Sequence, residues 1–102
     1  MSKKVTIELR TPVRVRDRDM HLLAAVDELS KRSGVMVSLG ELARKLGCAI
    51  DTARRAVLSC ADEGYLDVKP MHREDGGQLA NFYSLTASGR RVLSAAREAG
   101  IV

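Results

Sequence analysis

The sequence has no tryptophan, one phenylalanine and two tyrosines among its 102 residues, so no aromatic cluster can form its centre. The core must be mainly aliphatic, which suits helices packed through Leu, Val and Ala. Cysteine is equally sparse. Cys48 and Cys60 are too few for a disulfide framework, and with His21 and His72 they do not fall at the clustered spacings that zinc requires, so no metal is expected. The two thiols read as small buried hydrophobes, with a coupled redox pair as the alternative. No run approaches the ~20 apolar residues needed to span a bilayer, and no apolar leader opens the chain, which predicts a cytoplasmic protein without a membrane partner. No nucleophile, base and orienting group converge in a recognisable pattern, so an enzyme is not expected. There is no room for a ligand domain, and neither a cofactor nor a small-molecule ligand is implied.

What the chain does have is charge, unevenly placed. Six basic residues stand against two acids in residues 1–18, whereas residues 19–102 carry eleven of each sign, so the whole net charge of +4 belongs to the leading segment. An electrostatic case for nucleic acid elsewhere must therefore rest on local placement of arginines. One domain is expected at this length: a basic extended arm over 1–16 and a folded unit over 17–102. In the arm, Val5, Ile7 and Leu9 alternate with polar residues as in a strand, and Thr11-Pro12 breaks the pattern. Val13 and Val15 then alternate with Arg14 and Arg16. This second piece is either a strand packed on the body or on a partner subunit, or a basic ribbon against phosphates.

Residues Ser38 to Leu66 organise the rest. Ser38 and Glu41 form a capping box, each side chain satisfying a backbone donor that the first helical turn leaves free. Leu39, Leu42, Ala43 and Leu46 share one face of a short helix, and Gly47 ends it. From Ala49 or Ile50 to Glu63, a wheel at about 100° per residue gathers Ala53, Ala56, Val57 and Cys60 into one apolar arc. The opposite arc carries Ile50, Asp51, Arg54, Arg55, Leu58 and Asp62, a set suited to a DNA major groove; Thr52 lies on the flank and suits a phosphate contact. Asp51 lies one turn before Arg55 and is expected to orient that guanidinium or to accept from a cytosine amine. No side-chain cap stands at Ala49, so this helix starts with Asp51 capping or with a frayed first turn.

Upstream, Asp17 or Asp19 is expected to cap a long helix to about Ser33, with Met20, Leu22, Leu23, Val26 and Leu29 as its apolar face and Gly34 ending it. Val35-Met36-Val37 reads as a short strand. Downstream, Leu66–Lys69 and Leu79–Leu85 read as the arms of a hairpin whose tip spans His72 to Gln78, with Pro70 tolerable only at an edge or a strand end. Thr86 or Ser88 caps a final helix with a thin stripe of Val92, Leu93, Ala96 and Ala99, which packs either on the first helix or on a second copy of the chain.

Taken together, Leu42-Ala43, Leu46-Gly47, Thr52, Arg54-Arg55-Ala56-Val57 and Gly64-Tyr65-Leu66 resemble a winged helix-turn-helix DNA-binding domain. Tyr83-Ser84-Leu85-Thr86 with Gly89 is similar to the entry to the last helix of MarR-like regulators, and Gly76-Gly77-Gln78 to Tyr83 resembles the wing of plasmid and phage replication proteins. The resemblance implies a mostly helical α+β fold with three to four helices, a small antiparallel sheet with a wing hairpin, and an N-terminal extended arm. It further implies sequence-specific binding of double-stranded DNA by a small homodimeric transcriptional regulator. The expected contacts are Ser38, Ile50, Asp51, Thr52, Arg54, Arg55 and Leu58 in the helices, His72, Arg73 and Gln78 in the wing, and Arg14 and Arg16 in the arm. A replication or partition protein, or a winged helix that binds another protein, are the alternative roles.

Overall fold

The computed structural model describes residues 4–7, 13–30, 34–71 and 80–102. Two strands, β1 (Lys4–Ile7) and β2 (Val13–Arg16), pair antiparallel, with Val5 in register with Val15 and Lys4 with Arg16. The described residues of the expected arm thus pair with one another. Ile7 and Val15 join the central core, while Arg14 and Arg16, on the opposite face of the pleat, are exposed.

Helix α1 (Asp17–Leu29) follows without a break, and here two expectations are corrected. Its N-cap is Arg16, which makes no side-chain cap; Asp17 and Asp19 instead lie inside the first turn, where their charge suits the positive end of the helix. The helix also stops short of Ser33. Ser30 is the C-cap, its backbone N–H and its hydroxyl both donating to the Val26 carbonyl. The apolar face is broader than the periodicity indicates, because every residue from Leu22 to Val26 is buried. With more than half of its residues buried, α1 is the central helix, and it packs against every other helix and against β2 and β5.

Strand β3 (Val35–Val37) leads into α2 (Leu39–Leu46), whose capping box is formed as expected, with Glu41 N–H donating to Ser38 Oγ at 3.1 Å. Gly47 adopts the left-handed conformation that closes α2, and α3 (Ile50–Asp62) starts after an extended Ala49. No side chain caps α3, so the Asp51 cap does not form. Strands β4 (Leu66–Met71) and β5 (Ala80–Leu85) complete a three-stranded antiparallel sheet in the order β3-β5-β4. Pro70 sits in β4, an edge strand, where its missing N–H removes no central ladder bond. The row Val35, Tyr83 and Val68 turns towards the helices, and Tyr83 is fully buried with its hydroxyl accepting from Asn81 Nδ2 at 2.9 Å.

Helix α4 (Ala87–Glu98) is capped by Thr86, whose Oγ1 accepts from Gly89 N–H at 3.0 Å and donates to the Gly64 carbonyl at 2.6 Å. Thr86 N–H donates to the Tyr65 carbonyl as well, so the turn after α3 and the start of α4 are tied together. Of its predicted stripe, Val92, Leu93 and Ala96 are buried, whereas Ala99 is the exposed C-cap. The stripe packs on α1, which decides between the two partners the sequence left open.

Candidate nucleic-acid interface

Helix α3 is held from below by its alanine-rich face. Ala53 and Ala56 are fully buried, and such small side chains let α2 and α1 approach closely. A polar tether fixes its lie on α1: the Ser59 hydroxyl donates to Asp19 Oδ2 at 2.7 Å, and the Cys60 thiol faces the Asp19 carbonyl at 3.7 Å. Asp19 is therefore a buried link between α1 and α3. Its other oxygen lies 3.7 Å from Arg18 Nε, beyond hydrogen-bond range, and neither atom has a partner among the described residues. Burial, and then the Asp19 charge, push the Cys60 thiol far up, against a smaller opposite pull from Arg18, so it is held neutral as a packing residue.

What α3 turns to solvent is the arc expected from the wheel. Ile50, Asp51, Arg54, Arg55 and Leu58 are all exposed on it, and Thr52 is half-buried on its flank. Ile50 and Leu58 are 49% and 62% accessible, high values for large apolar groups. The ion pair on this arc differs from the expected one. Asp51 binds Arg54 Nη1, three residues on, and not Arg55. The shorter spacing brings the two side chains together without a full turn between them, so Arg54 is the guanidinium held in place. Arg55 makes no ion pair among the described residues.

Of the other predicted contacts, the three that are described, Ser38, Arg14 and Arg16, lie off this arc. Ser38 is buried, and its hydroxyl is used twice by Glu41, accepting from the backbone N–H and donating to Oε1 at 3.1 Å. It acts as a helix cap, with its one hydroxyl proton directed at Glu41. Arg14 and Arg16 stand apart, at the C-terminal end of α3, where with Lys4, Asp19, Ser59 and Glu63 they line a cavity of about 120 Å³. His72, Arg73 and Gln78 lie outside the described residues, as does Leu79 at the start of the expected second hairpin arm. Among the described residues no cluster of three or more potential metal ligands is present, and no helix is long and apolar enough to cross a membrane.

Sequence reasoning missed the outer face of the sheet. Met36, Phe82 and Lys69 form one cross-strand row there, with Met71 opposite Ala80 in the next, and Met36 is 59% accessible. The alternation in β3 and β5 was the available signal, but it does not say which face is covered.

A short helix, a tight glycine turn and a second helix, followed by a hairpin that pairs with a small first strand, constitute a winged helix-turn-helix. No protein-family profile matches the sequence, nor does any curated protein. Solved structures do. A MarR-family transcriptional regulator of Silicibacter pomeroyi superposes with a TM-score of 0.61 at 19% identity, over 81% of this chain and 49% of its own. A candidate DNA-binding protein from Ralstonia eutropha JMP134 gives 0.59 at 20% identity, over 78% of this chain and 94% of its own. Lactococcus lactis ZitR, solved in complex with DNA, gives 0.56 at 15% identity, over 91% of this chain and 65% of its own. The chain thus spans about half the length of the Silicibacter regulator but nearly all of the Ralstonia protein. At these identities the likeness is one of fold.

Proposed function

We propose that the protein binds double-stranded DNA sequence-specifically and acts as a small transcriptional regulator of the cytoplasm, with α3 as the recognition helix and the β4–β5 hairpin as the wing. The observation that carries this is the solvent face of α3: two exposed arginines, one of them held by Asp51, on a helix whose opposite face is anchored in the core. A guanidinium on such a face reaches the O6 and N7 acceptors of guanine with two hydrogen bonds, and the held Arg54 loses less freedom on doing so. The DNA complex of a protein of the same fold supports the reading. The basic β2 arginines serve as phosphate contacts or lie at a dimer seam, and a homodimer would place two recognition helices on a two-fold related site.

A second reading is favoured by one feature, the exposure of Ile50 and Leu58, which suits a winged helix that binds another protein. Selection from random duplexes separates the two. Enrichment of a defined motif is expected; failure to enrich any sequence at moderate salt would overturn the DNA reading. A role in replication or partition in place of transcription is the same chemistry, and the genes adjoining the coding sequence distinguish it.

A further inference from the structure

The recognition face is bounded at both ends by apolar side chains. Ile50 and Leu58 lie eight residues apart, and Arg54 falls midway between them at the same helical spacing of four. At 1.5 Å of rise per residue the two ends are separated by about 12 Å. That is about three to four base-pair steps along a duplex, given 3.4 Å per step. Both are widely exposed, Leu58 more than Ile50. Ile50 sits beside the first turn of α2, where a methyl group built on Gly40 would lie 3.9 Å from its Cδ1.

A partner helix or sheet would be expected to meet a continuous apolar stripe, whereas here a guanidinium and its carboxylate interrupt the stripe at its centre. The major groove offers the matching alternation. Its floor displays acceptor atoms at guanine and a single apolar group, the C5 methyl of thymine.

Resting on the reading of α3 as a recognition helix, we propose that Ile50 and Leu58 are specificity residues that read thymine methyl groups on either side of a guanine bound by Arg54. The occupant of these two exposed apolar positions is then the floor of the major groove itself. The half-site has thymines about three to four base pairs apart with a guanine between them. Arg55, further round the arc, is left to a neighbouring base or to phosphate.

The test uses the full chain and the duplex recovered by selection, with thymine replaced by deoxyuridine one position at a time. Deoxyuridine keeps every hydrogen-bonding group and lacks only the methyl, so binding isotherms at fixed salt isolate the apolar contact. Replacement at each of two positions in a half-site should weaken binding about four-fold, the equivalent of the ~0.8 kcal/mol transferred with one buried methyl group. Leu58→Ala should abolish the effect at one of these positions only, and Ile50→Ala at the other, as in a double-mutant cycle. Both side chains are exposed, and Leu58→Ala should leave the melting temperature unchanged, which keeps the result separate from folding. If the protein prefers its selected site but binds thymine and deoxyuridine duplexes equally, or if that site lacks thymines at this spacing, methyl reading is overturned while DNA binding stands. Equal affinity for selected and scrambled duplexes overturns both.

Discussion

Arg54 and Arg55 are adjacent in sequence, but the structure gives them different surroundings. Arg54 is tied to Asp51 in a pair whose two side chains are 53% and 77% exposed, so the pair contributes only about 0.2–1 kcal/mol to stability. Arg55 makes no such bond among the described residues. Arg55→Ala should therefore leave the melting temperature nearly unchanged. It should cost about 1–3 kcal/mol at the selected site with relaxed preference at one base, if the residue reads a base. Titrations against selected and random duplexes check this, and equal loss on both would assign Arg55 to phosphate. A second residue-scale outcome concerns Cys60. Its thiol is raised in the folded state, so its contribution to stability is fully present below the ordinary value of 9.0 and is lost as pH rises above it, because the unfolded chain releases the proton first. Tyr83, raised by burial against a smaller lowering from Asn81, adds to the loss above its ordinary 10.0. Urea unfolding midpoints should fall as pH rises above these values. A thiol reagent should label half-buried Cys48 in the native protein and Cys60 only on unfolding.

At the scale of elements, the junction between α3, β4 and α4 is a close approach of backbone to backbone. A Cβ on Gly89 would come within 2.1 Å of the Tyr65 carbonyl oxygen, so the first turn of α4 and the turn after α3 can be this close only with glycine between them. Gly89→Ala gains at most about 1 kcal/mol in helix propensity and should lose about 1–3 kcal/mol to the clash, for a net destabilisation. Gly40→Ala, where the nearest atom would lie 3.8 Å away, should instead be neutral or stabilising by up to about 1 kcal/mol. Thermal melts of the two variants separate the effects. The β1–β2 pair carries its own prediction. If Arg14 and Arg16 meet phosphate, neutralising both should flatten the dependence of log K on log salt by about 0.9 per lost contact. An unchanged slope with an altered molecular mass would place them at a dimer seam.

The whole molecule has its packing centre in α1, not in the pair of helices that carries the proposed interface. Because α1 and the stripe of α4 are used inside the monomer, a dimer built on β1, α1 and α4 has only their outer faces to offer. The surface bridges Arg97–Asp27 at 2.8 Å and Lys45–Glu28 at 3.2 Å pin α4 and α2 to α1, and being exposed they contribute little. A homodimer with half-sites about 10 bp apart, or a multiple of that, is nonetheless the expected form on DNA. Sedimentation with and without the selected duplex tests it, and a monomer at tens of micromolar in both would exclude it.

Local chemistry settled a good deal by itself. The Ser38–Glu41 box, the left-handed Gly47, the alanine face of α3 and the Thr86 cap involve residues within a few positions of one another, so spacing alone fixes α2, the turn, α3 and the start of α4. The exposed arc from Ile50 to Leu58 was legible for the same reason, since a helix wheel needs only a period. Other features depend on contacts between distant parts of the chain and leave no periodic trace. Asp19 has the look of a helix cap in sequence, and only the approach of Ser59, 40 residues away, makes it the tether between α1 and α3. The burial of every α1 residue from Leu22 to Val26 arises because three helices and two sheets pack against that helix. For Arg14 and Arg16 the sequence left open a packed strand or a basic ribbon, and it is the pairing of β1 with β2 and the burial of Ile7 and Val15 that draw their strand onto the body. The choice of Arg54 over Arg55 as the partner of Asp51 was a contest between two spacings that a helix allows equally. The side-chain arrangement on the folded surface decided it.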